Sequence, residues 1–215
     1  MYSLSFVIVS DLIAGPLYDG YSHMDQAISE LSAVGASTRP LLAALVPIWS
    51  ALLIACGIGV VRAAKWNRPL RVTGGLLIAH GVVSIHWLWF PMTAREETGF
   101  SALHWNDLGH LAVAGWSAVF CLAEVGFGAA AFGKHFRVYS LVTLVTVVVF
   151  GALTSTQAAN LADGDPTPLM GLYERVCVGA WLLWIAIVSV VLLRSRGGAP
   201  VHATAGADAA RTATA

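Results

Sequence analysis

Charge is what this chain most lacks. Asp, Glu, Lys and Arg make up 11% of its 215 residues against 57% apolar side chains, and mean hydropathy is +0.73. So little polar surface could not cover a folded chain in water, which excludes an ordinary soluble domain. The same apolar excess excludes a disordered or fibrous chain, because segments that stay unfolded lack hydrophobic residues. Three cysteines cannot pair fully, so no disulfide framework holds the fold. No glycine-rich turn follows a strand pattern and there is no basic surplus, so a nucleotide fold and a nucleic-acid partner are not expected. What is present is a series of long apolar runs, the mark of a polytopic membrane protein.

A spanning helix needs about 20 mainly apolar residues. Six stretches meet or approach that length, at 4–18, 41–63, 72–92, 108–132, 138–157 and 169–193. The fold class expected is therefore all-α, a bundle of six transmembrane helices over residues 1–194. A disordered cytoplasmic tail is expected over 195–215. The first stretch is short and carries Asp11, but it lacks the basic start and cleavage site of a secretory signal and reads as a retained helix. Turn chemistry separates the runs at Asn67-Arg68-Pro69, Gly133-Lys134 and Asp163-Gly164-Asp165-Pro166.

The few charges are sorted. One set of connections holds nine basic residues (62, 65, 68, 71, 134, 137, 194, 196 and 211) and one acid, Asp208. The alternate set holds Arg39, Arg95 and Arg175 against nine acids, among them Asp25, Glu30, Glu96, Glu97, Asp107 and Glu174. Because basic residues accumulate in cytoplasmic loops, both termini are expected in the cytoplasm of a cell-membrane protein, with 19–40, 93–107 and 158–168 outside.

Ionisable groups inside spans are expensive and mark candidate sites. In the fourth span Asp107, His110, Ala114, Ser117, Cys121 and Glu124 recur at steps of three and four, which aligns them on one helix face. Leu108, Val113, Phe120 and Phe127 fall on the opposite side, suited to lipid or a neighbouring helix. Counting rise per residue along antiparallel third and fourth spans puts His86 level with His110, and His80 level with Glu124 as an intramembrane polar pair. An outward-facing ligand pocket is expected, lined by Ser29, Glu30, His86, His104, Asp107, His110, Glu174 and Arg175. The set His86, His104, Asp107 and His110 offers ligands suited to a divalent metal such as zinc. A haem on His86 and His110 is the lesser alternative, since the deeper level has only His80 to continue an electron path. Trp66, Trp87, Trp89 and Trp105 read as interfacial anchors. Gly57-x-Gly59 and Gly74-Gly75 read as sites of close helix approach, and Thr154 to Gln157 as a polar cluster beside the pocket or the headgroups.

Several of these segments also resemble a known family, the prokaryotic multi-pass membrane proteins called domain of unknown function 998. The resemblance rests on Tyr21-Ser22-His23, on Ile28-Ser29-Glu30-Leu31-Ser32-Ala33-Val34-Gly35-Ala36, on Phe90-Pro91, on a histidine opening the fourth span and on Gly171-Leu172-Tyr173-Glu174-Arg175. It spans roughly 18–194 and implies a membrane helix bundle of six or so spans, with no assigned chemistry. It also singles out Ser29, Glu30, His104, Glu174 and Arg175. The function expected is binding or movement of a lipid headgroup or small polar ligand, with membrane lipid as partner. The competing readings are a membrane-embedded metal-dependent hydrolase or transferase acting on outer-leaflet lipid, and a haem-binding membrane protein.

Overall fold

The computed structural model describes Ile8, residues 11–95, Ser101 and residues 104–197. The start of the first apolar run, Glu96, Glu97 and the tail beyond 197 lie outside the described residues. Among those described there is no strand, so the all-α class holds. Five long helices run up and down: α1 (Arg39–Ala64), α2 (Arg68–Ser84), α3 (Trp105–Ala129), α4 (Lys134–Thr156) and, after the short α5 (Ala158–Asp163), α6 (Met170–Gly197). An N-terminal helical turn at 11–14 precedes them and continues as a 3-10 turn, Gly15–Leu17.

Four segments are long and apolar enough to cross a membrane: Arg39–Ala64, Trp105–Ala129, Lys134–Asp163 and Met170–Arg194. The expected third span falls short as a regular helix. Its α-helix has 17 residues, which at a rise of 1.5 Å each gives about 26 Å. A 3-10 segment, Ile85–Leu88, carries the helical path onward, and from Phe90 the chain has no regular structure.

Local chemistry sets the ends of these helices. Pro40 and Pro69 sit in first turns, where a missing N–H costs nothing. Asn67 caps α2 by accepting from Leu70 N at 3.1 Å, while its amide donates to Ala131 O at 2.7 Å, so one side chain joins two interhelix turns. Along the α1–α2 hairpin the backbones nearly touch. A Cβ on Gly57 would lie 2.6 Å from Gly74 O, and one on Gly74 would lie 2.9 Å from Gly57 O. Gly59 and Gly75 face open space, so the expected pairs of close-approach glycines reduce to one from each pair.

The main core lies where α1, α2, α3 and α6 meet, with Leu53, Leu77, Val125, Trp184 and Val188 nearly inaccessible. Trp184 is fully buried with its indole N–H donated to Ser140 Oγ on α4 at 2.9 Å. A second, smaller core of Ala27, Ala33, Ala36, Met92, Ala94, Leu161 and Met170 lies at one end of the bundle. It gathers the three acidic connections into a cap, stitched by Val34 N to Met92 O at 2.9 Å and Leu172 N to Met24 O at 3.0 Å. Segments that read as loops thus form a packed layer over the helix ends.

α4 presents an exposed apolar face, with Val138, Leu141, Val142, Val145, Val148 and Val149 all exposed. On α3 the division differs from the helical wheel in two places. Val113 is buried, and Phe120 turns inward to stack on His80 with ring centroids 5.3 Å apart, while Leu108 and Phe127 are exposed as expected. Trp66, Trp89 and Trp105 are exposed, whereas Trp87 packs edge-on against His110 at 4.7 Å. The hydroxyls of Thr154, Ser155 and Thr156 return to carbonyls of their own helix.

Candidate functional site

The cap is held by three charged clasps. Arg175, on the first turns of α6, meets Asp11 side-on, Nε to Oδ2 at 2.9 Å and Nη2 to Oδ1 at 2.8 Å. Its remaining donors reach the Tyr21 hydroxyl at 2.7 Å and the carbonyls of His23 and Gly171 at 2.7 and 3.0 Å. One guanidinium therefore ties the N-terminal turn, the first cap segment and the last helix. Burial raises the Tyr21 phenol above its ordinary range, so it stays protonated, accepting from Arg175 and donating to Ala27 O at 2.9 Å.

Glu30 forms the second clasp. Its carboxylate takes Arg95 through two bonds of 2.6 and 2.7 Å, and also the Ala27 N–H at 2.8 Å. Asp107 forms the third. Fully buried at the start of α3, it accepts from Thr93 N, Thr93 Oγ1 and Ser101 N, with His104 Nδ1 at 3.4 Å. These carboxylates are used up in joining cap segments and do not present free oxygens to a ligand.

The expected metal quartet does not assemble. His86 is exposed, its Nδ1 3.0 Å from Val83 O and its ring against Trp89. His110 is buried on Trp87, with Nδ1 3.1 Å from Phe90 O, and the ring of His104 is half exposed. Among the described residues no three His, Cys, Asp or Glu side chains gather to hold a metal ion. After Ser84 the chain winds as a 3-10 segment, about 120° per residue in place of about 100°, so side-chain directions there depart from an α-helical count: His86 is exposed and Trp87 packs on His110. The expected four-ligand set is therefore not gathered at one place among the described residues.

Deeper in the bundle, His80 Nδ1 lies 3.1 Å from Glu124 Oε1, with both side chains buried. The other carboxylate oxygen accepts the Trp181 indole N–H at 2.7 Å. His80 is held between Phe120 and Trp181, at 5.3 and 5.0 Å between centroids. Glu124 thus has a partner for each oxygen, and the triad links α2, α3 and α6.

A cavity of about 320 Å³ connects the cap to this triad. At the cap end Ser29, Arg39 and Glu174 line it, and Asp11 adds an edge of its clasp; His80, Ser117 and Trp181 lie at the other. The walls between are apolar, with Trp49 and Trp87 the largest. Glu174 gives Oε2 to the Ile28 N–H at 2.6 Å. Arg39 is half-buried, and its guanidinium has no acid partner among the described residues. Of the eight pocket residues expected from sequence, Ser29 and Glu174 line the cavity. Arg175 acts one step removed by holding Asp11, and Glu30, His86, His104, Asp107 and His110 lie elsewhere.

The motif residues thus sit in the cap and its clasps. A family model described as "Protein of unknown function (DUF998)" matches residues 3–191. The chain belongs to this family. Neither curated proteins nor solved structures give a match. In this DUF998 protein the sequence motifs supply Tyr21, Glu30 and Arg175 to the clasps, and Gly171 must lack a side chain because a Cβ there would collide with the carbonyls of His23 and Gln26. They do not account for Arg39, Trp49, Ser117 or Trp181. Ser117 stands on the polar face of the fourth span read from the sequence; Arg39, Trp49 and Trp181 carry no site signal beyond an apolar helix or its first turn, and only tertiary packing brings them to the cavity.

Proposed function

We propose that this protein crosses the cell membrane six times, cap outside, and binds a lipid-class amphiphile in the cavity beneath the cap. The observation that carries the reading is the cavity's polarity: charged and hydroxyl groups at the cap end, apolar walls, and a depth that reaches His80. At about 320 Å³ it falls within the range of small-molecule sites, about 300–1,000 Å³. A headgroup would lie at Ser29, Arg39 and Glu174, and a chain would replace water along Leu42, Val46 and Val178. The unpartnered Arg39 guanidinium supplies charge for a phosphate or carboxylate on the head.

Orientation rests on charge. The end away from the cap carries Arg62, Lys65, Arg68, Arg71, Lys134, Arg137 and Arg194, and the cap carries most of the acids. For the third span, α2 with its 3-10 continuation supplies about 34 Å at 1.5 and 2.0 Å per residue, enough for a hydrocarbon core of about 30 Å.

The test is to purify the protein in mild detergent and identify co-purifying lipid by native mass spectrometry. The wild type is expected to carry a lipid that survives washing. Ala43→Trp, which places an indole in the cavity from α1, is expected to lose it while keeping the same thermal transition. Equal lipid on both would overturn the proposal.

A further inference from the structure

We propose that the cavity is a blind slot for one hydrocarbon chain of about twelve carbons, closed at its deep end by the rings of Trp49, Trp181 and His80. The inference rests on the cavity being an amphiphile site, and it names the length of chain that the site accepts.

Three helices build the floor. Trp181 on α6 stands between Trp49 on α1, with ring centroids 6.1 Å apart, and His80 on α2, at 5.0 Å. Glu124 fixes two of the three rings, accepting the Trp181 N–H at 2.7 Å while His80 Nδ1 lies 3.1 Å from its other oxygen. All three residues line the cavity. One helical turn further from the cap the bundle is packed solid. Leu53 follows Trp49 on α1, Leu77 precedes His80 on α2 and Trp184 follows Trp181 on α6; all belong to the main core, and each is no more than 1% exposed. The slot therefore stops at the rings and does not run on through the bundle, so a ligand leaves by the mouth through which it entered.

Depth and volume call for the same chain. On α1 the lining runs from Arg39 at the mouth to Trp49 at the floor, which at 1.5 Å per residue is a depth of about 15 Å. An extended chain advances about 1.2 Å per bond, a third of the roughly 3.6 Å of one extended residue, so about twelve bonds reach the floor. Volume agrees. A dry cavity of about 150 Å³ holds one benzene ring, six carbons, so about 320 Å³ holds about twelve or thirteen. Two chains side by side at that depth would need about twice the space. The charged groups stand at the cap end and the walls below them are apolar, so the head stays at the mouth and the methyl end of the chain meets the rings.

A homologous series reads the stop directly: even-numbered alkyl phosphates from octyl to hexadecyl, each below its micelle concentration, titrated calorimetrically into protein held in a fluorinated surfactant that does not dissolve hydrocarbon chains. One equivalent per protein is expected to bind, with affinity rising about fourfold for each added methylene as far as dodecyl phosphate and no further. Val147→Phe fills the slot from α4 at the level of Cys177, one turn above Trp181, and is expected to move the break to a shorter chain. Trp49→Leu removes one ring of the floor and is expected to move it to a longer one; either variant serves if the other does not fold. Affinity that climbs unbroken to hexadecyl phosphate, a break that stays in place in every folded variant, or two equivalents bound per protein overturns the slot and leaves the cavity reading standing. Absence of saturable binding by any member of the series, or binding to Ala43→Trp undiminished from the wild type, overturns both.

Discussion

Arg175 shows how much one side chain can decide in a membrane protein. Its guanidinium meets Asp11, Tyr21 and the carbonyls of His23 and Gly171, and Arg is suited to this because its five donors are fixed in a planar fork. Lysine would keep the charge and lose the fork. Arg175→Lys is therefore expected to destabilise almost as much as Arg175→Ala, by about 3 kcal/mol, because either change leaves Asp11 partly buried without its paired donors. Thermal unfolding in detergent checks the size, and a double-mutant cycle with Asp11→Asn should return a coupling above about 1 kcal/mol. Asp25 offers a pH test of the same cap. The Leu169 N–H first and the Ser22 hydroxyl second hold its carboxylate below the ordinary aspartate range. The stabilisation is thus fully present above the unfolded value of about 4 and is lost as pH falls through the lowered folded value. Asp25→Asn is expected to flatten the acid side of the melting-temperature profile; an unchanged profile would show that other carboxylates dominate there.

At the scale of elements, the glycines of the α1–α2 hairpin separate contact from coincidence. Gly57 and Gly74 each face the other's carbonyl at less than 3 Å from an added Cβ, so an alanine at either must push two backbones apart. Gly59 and Gly75 meet nothing within 4 Å. Gly57→Ala and Gly74→Ala are expected to lower stability by about 1–3 kcal/mol as overpacking does, while Gly59→Ala and Gly75→Ala cost nothing. The two pairs compared in one thermal series make the test. The sequence pattern Gly-x-Gly could not say which member faced the neighbour, because that depends on helix rotation about its axis. The same limit explains the histidines. An α-helical count carried on to Met92 puts His86 level with His110, but the helix tightens to 3-10 after Ser84, where side-chain directions depart from that count, and it is Trp87 that packs on His110. Where α geometry persisted through both helices, rise per residue was enough to put His80 beside Glu124.

For the whole molecule, what could be read from sequence was the sorting: apolar runs, their alternation and the segregation of charge. What could not be read was the cap, because its core is small alanines and methionines drawn from three distant segments with no periodicity of their own. The sorting yields the last prediction, which concerns direction. A single added cysteine at Trp66, 93% exposed in the basic α1–α2 turn, is placed on the cytoplasmic side by the charge rule, and one at Gly164, between Asp163 and Asp165, on the outer side. A membrane-impermeant maleimide added to intact cells is expected to label Gly164→Cys at once and Trp66→Cys only after lysis. The native Cys56, Cys121 and Cys177 all lie within the bundle and are half-buried, so the unmodified chain supplies the background. The reverse labelling pattern would turn the cap inward. The cavity mouth would then open to the cytoplasm, and Arg39 and Glu174 would select among inner-leaflet headgroups.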